Sequence, residues 1–119
     1  MDPLGPVLAQ YKQAAIAHGE ATAQGNYRAG NHQYEQLSRH YLTLRRAGSE
    51  GLAHLLPLLA DQNPSVACWA ATHLLPYEEQ QALDTLTRIA TQTGIIAFNA
   101  EMTLQAWQSG RLQPDDSTD

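Results

Sequence analysis

The chain has 119 residues, a formal net charge of -5 and one cysteine, and no apolar run approaches the roughly 20 residues that span a membrane. That length fits one domain able to bury most of the surface its unfolded form exposes, without a disulfide or metal staple. Lone Cys68 excludes an intrachain disulfide, and the start Met1, Asp2, Pro3, Leu4, Gly5 lacks the basic and apolar segments of a secretory signal, so a soluble cytoplasmic protein is expected.

A first helix is expected from Pro3 to about Ala23, with Leu4, Val7, Leu8, Tyr11, Ala14, Ala15 and His18 on one stripe, ended by Gly25 and Asn26. His18 lies on that apolar stripe without a neighbouring acid or nucleophile, and is read as a hydrogen-bonded core or boundary residue. The second helix, from about Tyr27 to Ala47, aligns Tyr27, Gly30, Tyr34, Leu37, Tyr41 and Leu44. Its three tyrosines read as core residues whose hydroxyls reach the edge, the alternative being a binding platform. Glu35 and Arg39 are spaced to support the helix rather than to mark a site.

Gly48 closes the second helix, and Ser49 with Glu50 opens the third, where acid near the N-terminus complements the helix dipole. Pro57 removes a backbone donor, so it should kink this helix or end its regular hydrogen bonding. The breaker cluster Asp61, Gln62, Asn63, Pro64 forces a tight reversal into a fourth helix, which Asn63 caps and Pro64 begins. At about 100° per residue, Val66, Ala70, Leu74 and Tyr77 point inward, Ser65, Cys68 and Thr72 lie opposite, and Trp69 and His73 flank them. The uncharged ridge of Cys68, Trp69, Thr72 and His73 is a candidate contact surface, because a flank Trp offers large area at low entropy cost. Alternatively, Trp69 plugs the groove to the next pair of helices.

Pro76 stops the fourth helix, and Glu78 and Glu79 begin a fifth carried by Leu83, Leu86, Ile89 and Ala90. The sixth, from about Ile95 to Ser109, sets Ile95, Ile96, Phe98, Met102, Leu104 and Trp107 on several sides. Either the first two helices cover it, or part of it meets a partner or a second copy of the chain. Residues 1–112 are thus expected to form one helical domain and 113–119, QPDDSTD, a flexible acidic tail.

Charge is segregated: residues 26–49 carry a balance of +3 and residues 50–119 a balance of -7. Such a field disfavours nucleic acid and steers a basic protein toward the C-terminal two thirds, although acidic balance also serves plain solubility. The five histidines never take the i, i+4 spacing of a helical metal pair, and no phosphate loop, dinucleotide fingerprint or nucleophile elbow occurs. No catalytic residue, metal or cofactor is therefore assigned.

The residues around the central reversal resemble a known repeat. Leu52, Leu55, Leu56 and Leu59, followed by Asp61, Asn63, Pro64, Val66, Ala70, Ala71 and Leu74, are similar to the HEAT repeat, whose second helix reads V-R-x-x-A-A-x-x-L. Ala67 stands where that repeat has Arg, which removes the charge ladder of long arrays. The resemblance implies an all-α fold, a short HEAT-like stack of helical hairpins (α-solenoid) with about six helices. Over roughly residues 26–114 the chain also resembles a family of small bacterial domains of unknown function that occur beside polymorphic toxin genes and are similar to immunity proteins. It implies an immunity protein of the bacterial cytoplasm that binds a cognate secreted toxin and occludes its active site. The alternative is a non-catalytic adaptor in a bacterial assembly. Under the first reading Glu50, Glu78, Glu79 and Glu101 steer a basic toxin, and Trp69, Thr72 and His73 grip it.

Overall fold

In a computed structural model that describes residues 3–110, the fold is helical throughout the described residues. The helices are α1 (Gly5–Ala23), α2 (Tyr27–Arg46), α3 (Ser49–Ala53), α4 (Pro64–Leu74), α5 (Glu79–Ala90) and α6 (Ile95–Gln108). A 3-10 helix, Leu56–Ala60, joins α3 to α4. The expected acidic tail at 113–119 lies outside the described residues.

Local chemistry sets the boundaries. The Asn26 side-chain oxygen accepts the Ala29 N–H at 3.1 Å, and Asn63 accepts those of Ser65 and Val66 at 2.9 and 3.4 Å, so both cap donors that a helix start leaves unpaired. Asp61 in turn accepts the Asn63 N–H at 2.9 Å and pairs with Lys12 of α1 at 3.2 Å, which fixes the reversal against the first helix. Pro57 has the expected effect: the α-helical pattern ends at Ala53 and the chain continues as a 3-10 turn with the proline in its opening positions. Gly25 and Gly94 adopt φ of 72° and 103°, values at which a side chain would strain the backbone.

The most extensive packing joins consecutive helices: α1 with α2, α5 with α6, α4 with α5, and the 3-10 helix with α4. Helix α4 is the hub, touching the 3-10 helix, α5, α1 and α6. Its small Ala67, Ala70 and Ala71 are buried beside Val66 and Leu74, so neighbours approach from several directions. The approach of α1 is closest at Gly19, where an added Cβ would fall 1.9 Å from Ser65 Oγ and 2.8 Å from Ser65 Cβ. On the far side, Arg88 of α5 donates to the Leu59 carbonyl at 2.9 Å. The radius of gyration is 13.5 Å, close to the roughly 13 Å of an equidimensional domain of this size.

Three orientations differ from those expected. Tyr77 is exposed rather than inward, because the helix ends at Leu74 and the wheel loses its phase beyond it. Ser65 and Cys68 are buried rather than opposite the core, since α1 and α6 cover the side of α4 that a two-layer packing would leave open. On α2, Leu37, Tyr41 and Leu44 are buried as expected, while Tyr27 and Tyr34 of the same stripe are exposed.

Candidate functional site

The feature with chemical content is an open cleft of about 660 Å³, walled by α2 and α6 and floored by α4. Each helix contributes one face at helical spacing. Cys68, Trp69, Thr72 and His73 come from α4; Tyr34, Ser38, Tyr41 and Leu42 from α2; Ile96, Asn99, Met102, Thr103 and Trp107 from α6. His18 of α1, Ser65 and Pro76 complete the lining.

Connected rings form the floor. His73 stacks on Tyr41 with centroids 4.0 Å apart and planes within 7°, and lies 5.5 Å from Trp69. Trp69 meets His18 edge-on at 5.2 Å and donates its indole N–H to His18 Nδ1 at 3.4 Å. Half-exposed Tyr34 continues the series, tilted 46° to Trp69 at 5.7 Å. Beneath, the fully buried Tyr11 hydroxyl shares a 2.7 Å hydrogen bond with His73 Nδ1, its direction following the imidazole tautomer. That bond fixes the ring orientation on which the stack depends.

Electrostatics make the lining neutral. Among the described residues no Lys, Arg, Asp or Glu lines the cleft. Burial raises the Tyr11 phenol well above its ordinary value, with further contributions from Tyr41 and Cys68. Burial also lifts the Cys68 thiol to about 11, against a hydrogen bond from Thr72 that lowers it, so the sulfur stays protonated at neutral pH and is a poor nucleophile. His18 is shifted down by burial, toward the neutral imidazole. The arrangement offers ring faces and hydrogen-bonding groups rather than an acid, base and nucleophile in series.

The expected contact residues divide into two sets. Trp69, Thr72 and His73 come together in the cleft, though as its floor rather than a projecting ridge. Thr72 spends its hydroxyl on the Cys68 carbonyl at 2.8 Å. Of the acids, Glu79 alone reaches a cleft residue, its carboxylate accepting the Trp107 indole N–H at 2.7 Å. Glu78 sits at the start of α5 beside it, where Gln81 donates to its carboxylate at 3.5 Å. Glu101, two residues from both Asn99 and Thr103, is about 200° around α6 from each and faces away from the cleft. Glu50, exposed in the first turn of α3, is outside the lining. Sequence reasoning missed His18, Tyr34, Tyr41 and Trp107 as site residues; helical spacing marked the two tyrosines, but nothing local marked a cleft.

No metal cluster of His, Cys, Asp and Glu occurs among the described residues, and none of their helices is long and apolar enough to cross a membrane. No family model matches the chain, and no curated protein does. The fold is similar to that in the crystal structure of the protein RPA1889 from Rhodopseudomonas palustris CGA009, with a TM-score of 0.83 and 18% identity over 97% of this chain and 99% of that one. At that identity the likeness establishes a shared all-helical fold.

Proposed function

We propose that this protein is a non-catalytic binding module that neutralises a cognate, basic toxin in the bacterial cytoplasm by occluding its active site, and that the cleft between α2 and α6 is where it grips. The observation that carries the reading is the neutral, ring-lined cleft with the Glu79 carboxylate at its edge on Trp107. A cleft of about 660 Å³ is large enough for partner side chains, and its half-buried Trp69 resembles the aromatic anchors that dominate protein interfaces. The acids outside the cleft act at longer range, raising encounter rates with a positive partner. Consecutive helix pairs packed on a small-residue hub support a short HEAT-like stack as the scaffold.

The test is growth of bacteria expressing the product of the adjacent gene, with and without this protein. Rescue by the wild-type chain, together with co-purification of a stoichiometric complex, is the expected result. Reversing Glu78 and Glu79 to Lys should slow association and weaken its salt dependence, whereas Trp69→Ala should speed dissociation and cost about 2 kcal/mol or more of binding. Rescue without a complex, or no binding to the adjacent product, rejects the reading. A stable complex with a non-toxic partner would favour the adaptor instead.

A further inference from the structure

We infer that the cleft is a receptor for a guanidinium group, an arginine side chain presented by the partner; this rests on the binding reading above but makes a separate chemical claim. Three features point to that group. First, the cleft offers ring faces on half-exposed Tyr34 and partly buried Trp69, tilted by 46° and 5.7 Å apart. Such faces attract a planar cation through the ring quadrupole, and Arg stacks on them while keeping its in-plane donors for other acceptors. Second, acceptors for those donors lie within the lining: the side chains of Ser38, Asn99 and Thr103 carry oxygen lone pairs and no competing cation. Third, the charge balance suits a cation. The chain carries -5 overall, no basic residue other than histidine lines the cleft, and Glu79 stands at its edge on Trp107. Arg45, one turn beyond Leu42 on the same face of α2, is outside the lining and already engaged.

An anion would find no fixed positive partner in the lining. A purely apolar side chain would cost the Asn99 side chain its hydration with nothing in exchange. Arginine uses the rings, the oxygens and the Glu79 carboxylate at the edge together.

The experiment uses the two tryptophans as reporters, since Trp69 and Trp107 are the only ones in the chain and both line the cleft. Short capped peptides bearing one central arginine, lysine or citrulline are titrated while indole fluorescence and heat are followed. Citrulline keeps the shape and planarity of arginine without its charge. The arginine peptide should bind about tenfold more tightly than the citrulline peptide, with lysine between them. Tyr34→Leu removes a ring at a half-exposed position, and Glu79→Gln keeps an acceptor for Trp107 while removing the charge. Each should weaken arginine binding about threefold or more with the helical circular dichroism unchanged. Equal binding of arginine and citrulline, or no arginine binding at millimolar concentration, overturns the inference. If the toxin binds and is neutralised but the arginine peptide does not compete with it, the guanidinium receptor fails while the inhibitor reading survives. Arginine-selective peptide binding without any toxin complex does the opposite: the receptor stands and the inhibitor reading fails.

Discussion

Gly19→Ala tests the close approach of α1 to α4 on which the cleft floor depends. In an open helix interior the substitution stabilises by about 1 kcal/mol, because alanine loses less backbone freedom on folding. Here the new Cβ would sit 1.9 Å from Ser65 Oγ and 2.8 Å from Ser65 Cβ. Rotating the serine relieves the first clash and leaves the second, since χ1 does not move Cβ. The helices must therefore separate, at an overpacking cost of about 2–3 kcal/mol, leaving a net loss of about 1–2 kcal/mol. In a domain of this size that lowers the thermal midpoint by roughly 4–10 °C. Ser65→Gly removes both clashing atoms, so in that background Gly19→Ala should recover its stabilising sign, giving a coupling of about 2–3 kcal/mol in a double-mutant cycle. Urea unfolding of the four proteins at constant m measures it. A stabilising Gly19→Ala in the wild-type background, or the same effect in both, would refute the reasoning.

Leu74 is fully buried, so Leu74→Ala should cost about 2–5 kcal/mol through the cavity it leaves, whereas Thr72→Ala, which removes a part-buried hydroxyl bonded within its own helix to Cys68, should cost under about 1 kcal/mol. Comparable losses in urea would show the packing of α4 to be misassigned. The pH dependence of stability has a defined sign. Burial favours neutral His18 in the folded chain, so the unfolded chain takes up the proton first as pH falls. His18 therefore contributes fully above the unfolded value near 6.5 and loses that contribution as pH drops toward the lower folded value, with His40 adding the same direction through burial and nearby Arg39. The urea midpoint should decline from about pH 7.5 to 5.5, and decline less in His18→Gln; an identical slope in the two proteins would refute the assignment.

Helix limits were legible because their causes are local. Asn63 with Pro64, Gly25 and Gly94 act within a few residues of themselves, and each marks a boundary found in the fold. Side-chain direction was legible only where one neighbour covers a helix. Helix α2 packs chiefly against α1, and of its single stripe Leu37, Tyr41 and Leu44 are buried while Tyr27 and Tyr34 stay exposed. Of the cleft, only the α4 floor, Cys68, Trp69, Thr72 and His73, was legible. Its defining contacts join Trp69 to His18, His73 to Tyr11 and Trp107 to Glu79, pairs 51, 62 and 28 residues apart, and no periodicity within one helix encodes such pairings.

The same packing explains why α6 carries so much apolar surface outside. Its buried positions are Ala97 and Ala100, small because α6 must lie close to α5 and α4, which leaves its large side chains at the margins. Met102 then faces the cleft, while Phe98, more than half exposed, lies on the side of α6 that also bears Glu101. The two faces suit different occupants. Two copies meeting through the Phe98 side in an isologous pair would each bring Glu101 to the seam, and like charges there oppose the gain from burying the rings. A basic partner entering the cleft meets no such opposition, because its lining is neutral and the acids lie outside it. Self-association through α6 should thus strengthen in Glu101→Gln, whereas the dissociation rate of a basic partner from the cleft should not change with that residue, a contrast that sedimentation of the free chain and dissociation kinetics of its complex would expose.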